Sequence, residues 1–254
     1  MGVNVLGSVS DNSAVSAAES NMGELRNEFT DIASEGAPYR EVEMQAVDNT
    51  IRFESYTQNQ TLDDTVINIT ASGGNVDLTG SDAVVVTARP IVYDLPKEDT
   101  KFVYTAGLIA QQYSDPSSES RLRKTPHMTV SPSRTAITLP ATERADASPP
   151  SVGMSGTGKL YVTGSRSRKS TETVYRTASG SPDATTTVNI TVSSIPPERV
   201  QVWAEFFRES GFTNVQVRDG SDSDNVPETV DATVETETVY IQYTEISVEL
   251  SKDS

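Results

Sequence analysis

Cysteine is absent from this chain of 254 residues, and histidine occurs once. Without cysteine there is no disulfide framework, no thiolate metal site and no cysteine nucleophile. His127 follows Pro126 in a β context. It has no second histidine with which to build a zinc site, and it reads as incidental. Apolar residues are sparse at 35%, and aromatics make up 6%. No run reaches the roughly 18 apolar residues of a membrane span. No secretory leader with a basic first segment is visible either. Met1–Gly7 runs straight into a helical segment, so the expectation is a boundary with something upstream removed.

Lysine is scarce as well: six of the twenty basic residues are lysine, against 36 acids, for a net charge of -16. Excess carboxylate with little lysine is the composition expected of a protein living in concentrated salt. There the Debye length shrinks to roughly 3 Å at 1 M, and repulsion among the acids is screened. The same charge excludes nucleic acid as a partner, since a nucleic-acid binder needs a basic face. The two basic runs, Arg121–Lys124 and Arg166–Lys169, are short, lack interleaved aromatics for stacking, and read as solvated hairpin rims.

What the chain does contain is periodicity. Val15, Met22, Leu25, Phe29 and Ile32 form a narrow helical stripe within a helix over 9–35, ended by Gly36-Ala37-Pro38. After Pro38 the period changes to two. Strands are expected at 40–46, 50–56, 65–71, 83–93, 101–111, 127–130, 135–139, 159–165, 171–177, 185–193 and 214–218. Two more, 230–237 and 238–250, close the chain. Residues 143–158 read as a loop. A second helix, 197–210, begins on Pro196-Pro197, carries Val200, Val202, Trp203, Phe206 and Phe207 on one face, and ends at Gly211. Its tryptophan reads as core. In the last strand the apolar phase slips between Tyr243 and Ile246, which suggests a bulge. The expected fold is mainly β with two helices: a long N-terminal helix over 1–38, as a stalk or packed on the β domain, then an antiparallel, sandwich-like β domain over 39–254.

Chemistry-bearing motifs are few. Gly153–Lys159 has the spacing of a phosphate-binding loop, but it leads into a strand rather than a helix N-terminus, and Leu160 replaces the magnesium-holding hydroxyl. Asp219, Asp222 and Asp224 offer hard oxygens to calcium on an acidic loop, without the order of an EF-hand; a solvated loop is the favoured reading. Asn59, Asn68 and Asn189 each head an Asn-x-Thr triplet, the acceptor pattern for N-glycosylation. Asn68 and Asn189 fall mid-strand and need outward-facing side chains. No set of catalytic residues is visible, and no cofactor is expected.

Several segments together resemble a haloarchaeal family of pilin-like, membrane-anchored surface proteins of uncharacterised function. They are Glu24–Pro38 with Arg40–Glu43, Phe102–Leu108, Gly158–Gly164, and the closing order of helix 197–210, Gly211, strand and Tyr240–Leu250. The resemblance implies an apolar anchor helix ahead of the first helix seen here, an extracellular location, and partners in the membrane and in other surface proteins or copies of itself. It brings no catalytic residues. The expectation is a non-catalytic structural or assembly component. The alternative is an adhesin or ligand-binding β module, including a viral surface protein.

Overall fold

The fold is that of a computed structural model, which describes residues 3–54, 64–72, 83–115, 118–176, 185–194, 197–218 and 228–253. Helix α1 (Val3–Ser34) comes first, its side chains described from Ser13 over 22 residues. Met22, Leu25, Phe29 and Ile32, spaced to fall on one side of a 3.6-residue turn, are fully buried, and Val15 packs at their margin. Gly36 adopts φ 75°, and the amides of Glu35 and Ala37 both donate to the carbonyl of Asp31. This closes the helix as a left-handed glycine cap.

The strands follow in the order β1 (Tyr39–Val47), β2 (Thr50–Phe53), β3 (Thr65–Ser72), β4 (Val84–Ala88) and β5 (Ile91–Leu95). After a 3₁₀ turn at Pro96–Glu98 come β6 (Thr100–Thr105), β7 (Leu108–Tyr113), β8 (Arg121–Lys124), β9 (His127–Val130), β10 (Thr135–Arg144) and β11 (Ser151–Gly153). The chain closes with β12 (Thr157–Arg176), β13 (Thr186–Ser194), α2 (Pro197–Glu209), β14 (Thr213–Arg218), β15 (Glu228–Thr236) and β16 (Thr238–Lys252). The protein is thus mainly β with two helices.

Three sheets result. The first runs β1-β12-β16-β10-β9, the second β11-β2-β5-β6-β7-β8, and the third β14-β15-β13-β3-β4. Among the described residues every pairing is antiparallel except β10 with β16, which is parallel. Two hydrophobic cores lie among them. One joins the third sheet and α2 to β7, β10 and the first half of β16. The other joins α1 and the second sheet to β1, β12 and the second half of β16.

Strand β16 serves both cores, and this explains its phase slip. Val239 and Ile241 enter the first core, while Ile246, Val248 and Leu250 enter the second. Odd and even residues of a strand point to opposite faces, so the two cores lie on opposite sides of one ribbon. The bulge expected in β16 sits instead on its partner. Arg166 of β12 pairs with Ile246 and Ser170 with Thr244, three residues intervening on β12 against one on β16. Toward β10, β16 keeps an unbroken register.

The structure corrects four boundaries. The strand expected over 83–93 is two strands in different sheets, parted at Arg89-Pro90, where proline interrupts the ladder. There Arg89 N–H donates to Thr142 O at 2.7 Å and Thr142 Oγ1 donates back to Arg89 O at 2.6 Å, fastening the crossover to β10. The strand expected over 101–111 is the hairpin β6–β7, turned by Ala106 (φ 47°) and Gly107 (φ 89°). The segments expected at 159–165 and 171–177 fall, up to position 176, in one strand, β12; position 177 lies outside the described residues. The loop expected over 143–158 contains β11, paired with β2.

Candidate functional site

The most heavily constructed region is the seat of α1. Gly164 of β12 lies directly under Phe29; a Cβ there would stand 2.5 Å from Phe29 Cε1 and 3.0 Å from Ile246 Cγ2. Glycine in a strand interior commonly marks such a close approach. On its other side the Phe29 ring meets Tyr104 edge-on, with centroids 5.5 Å apart. Burial pushes the Tyr104 hydroxyl far above the ordinary phenol range, and the nearby Arg26 only partly opposes it.

Polar contacts pin the helix on three sides. Arg26 Nε donates to Gly107 O at 3.2 Å and to Thr125 O at 3.0 Å. Gln242 Nε2 donates at 2.6 Å to Ala33 O, one of the last-turn carbonyls that lack a partner within a helix. Arg40 of β1 pairs with Glu28 at 2.9 Å.

A second constructed feature is a buried charge pair. Arg199 on α2 and Glu54, just after β2, are both fully buried, and Arg199 Nη2 donates to Glu54 Oε2. Arg199 Nη1 also donates to Ser194 Oγ at 3.2 Å, and Ser194 Oγ lies 3.2 Å from Thr65 Oγ1. The network ties α2 and the third sheet to the end of β2 in the second sheet. Its signal in the sequence was half present. Arg199 falls four residues before Trp203, on the apolar face of α2, where an unpaired charge would be costly. Nothing in the alternation around Glu54 singled it out.

The motifs read from sequence scatter over the molecule. Asp219, Asp222, Asp224 and Asn59 lie outside the described residues. Asn68 and Asn189 lie on neighbouring strands of the third sheet, away from its core. His127 is exposed at the edge strand β9. Arg121–Lys124 is strand β8, paired to β7. Trp203 is fully buried among Phe206 and Phe207. Gly153–Lys159 joins β11 to β12, and carboxylates already hold its cationic and amide donors: Gly156 N–H donates to Asp48 Oδ1 at 2.6 Å, and Lys159 pairs with Glu43 at 2.9 Å. Among the described residues no three acidic or histidine side chains are grouped to hold a metal. No described helix is long and apolar enough to cross a membrane.

Comparison with known protein families matches residues 1–249 to the model of a family of unknown function, DUF7289. The chain belongs to this family. No curated protein and no solved structure matches it. The DUF7289 match takes in α1, α2 and strands of all three sheets.

Proposed function

We propose that this DUF7289 chain is the extracytoplasmic part of a non-catalytic, pilin-like surface protein of a halophilic archaeon, and that it acts as a structural or assembly component. The observation that carries this reading is the seating of α1. The helix is clamped at its C-terminal half between the first and second sheets. Its backbone begins about 15 residues, ~22 Å, before Ala18, the first fully buried side chain described on it. A helix held rigidly along its C-terminal half suits transmission of position from a membrane or filament axis to a β body. The partners are then the membrane, reached through an apolar segment ahead of α1, and other copies or other surface proteins. The acid excess fits a surface bathed in brine.

Fractionation of the source cells tests the reading. The protein should sediment with the envelope and be shaved from intact cells by added protease. Recovery in the soluble cell contents, protected from protease until lysis, would overturn it.

A further inference from the structure

Strands β3 and β13 carry two Asn-x-Thr triplets side by side. Their antiparallel register sets Asn68 opposite Thr191 and Thr70 opposite Asn189. Ile67, Ile69, Val188, Ile190 and Val192 are buried in the core beneath. Alternation therefore turns both asparagines and both threonines to the outer face, where all four are half-buried.

Asn68 Oδ1 has less than 1 Å² exposed and no partner among the described residues. Asn189 Oδ1 accepts from Thr233 Oγ1 at 3.0 Å. In each case the amide oxygen is taken inward or occupied.

Asn68 lies beside an exposed apolar side chain. Its partner on the edge strand β4 is Val85, which is 56% exposed. Only Tyr39, Val47 and Val85 are exposed large apolar side chains among the described residues. An apolar residue on an open sheet edge invites unwanted pairing, and such edges are ordinarily covered or charged. No charged residue of β3 stands opposite Val85; the facing side chain is Asn68 itself.

We propose that the outer face of the third sheet is an N-glycosylated surface, with Asn68 and Asn189 as acceptors and the Asn68 glycan covering Val85 and the β4 edge. This rests on the extracytoplasmic reading above. The donor is a lipid-linked oligosaccharide. Asn Nδ2 forms a bond to the anomeric carbon, the bond from that carbon to the lipid phosphate oxygen breaks, and the lipid phosphate departs with the electron pair. The Nδ2 proton passes to the transferase. The threonine two residues on supplies the hydroxyl that the acceptor pattern requires.

The test is peptide mass spectrometry of the full-length protein purified from its own organism, with fragmentation that preserves glycans. Saccharide mass is expected on Asn68 and Asn189, lost from Asn68 in Thr70→Val with the Trp203 melting curve retained; Thr191→Val should remove it from Asn189 and also lower the melting temperature, since Thr191 Oγ1 donates to Asp231 Oδ1 at 2.7 Å. Asn68 found bare in protein that protease shaves from intact cells overturns the glycan proposal alone. Asn68 found bare in protein that protease cannot reach overturns it together with the surface reading.

Discussion

Phe29 occupies the space above Gly164 that any other residue would need: a Cβ at position 164 would lie 2.5 Å from Phe29 Cε1. The φ of Gly164 is not in the left-handed region, so the glycine is required for space and not for backbone freedom. Gly164→Ala should destabilise by about 1–3 kcal/mol through overpacking, read from urea unfolding. Phe29→Leu in the same chain removes the obstructing ring edge, so the double variant should cost less than the sum of the singles. Strict additivity would mean that the two residues do not compete for this space.

The Glu54–Arg199 pair should respond in the manner of buried charges. Glu54→Gln leaves the guanidinium buried without its carboxylate and should cost about 3–5 kcal/mol. The double change Glu54→Leu with Arg199→Met should recover most of that loss, because it removes both desolvation penalties. If Glu54→Gln unfolds at the same urea concentration as the parent protein, the pair does not join α2 to the second sheet energetically.

At the turn between β1 and β2, the hydrogen bond from Lys97 and then that from Gly156 N–H hold the Asp48 carboxyl below the ordinary range. The same contact holds Lys97 above its ordinary range. A depressed carboxyl stabilises above its unfolded pKa and loses that contribution as pH falls through its folded pKa. A raised lysine stabilises below its unfolded pKa and loses it as pH climbs through the folded one. Asp48→Asn keeps a residue tolerant of the φ of 56°. Its melting temperature should fall below that of the parent at neutral pH and converge with it in acid. A gap of constant size from pH 7 to pH 2 would show that the charge plays no part.

Trp203, the one tryptophan and fully buried, reports unfolding by fluorescence. With a net charge of -16, the melting temperature should climb as potassium chloride rises from about 0.1 M toward 1 M, where the Debye length falls from roughly 10 to 3 Å. A flat or falling curve would remove the argument for brine.

Both helices were legible in the sequence because each carries a local signal: a stripe at spacings of 3 and 4 with a glycine stop in α1, and proline start, aromatic face and Gly211 in α2. The β content was legible from alternation. Sheet membership was not, because β4 and β5 are nearly adjacent in sequence and lie in different sheets. Ala106 gives no hint of the positive φ that turns β6 into β7, since such backbone is ordinarily reserved for glycine or asparagine. The slip in β16 was visible, but its cause needed the second core on the opposite face. Of the constructed sites, only Arg199 on an apolar helix face could have been suspected; Glu54 and the fit of Gly164 to Phe29 depend on contacts far apart in the chain.

The chain's lack of cysteine makes the most direct test of the surface reading simple. Glu249 is exposed on β16, and Glu249→Cys gives one thiol, displayed in the native organism and treated on intact cells with a membrane-impermeant maleimide in molar salt. Labelling before lysis, on protein that then sediments with the envelope, is the expected result. A thiol that reacts only after the cells are broken would contradict an extracytoplasmic scaffold.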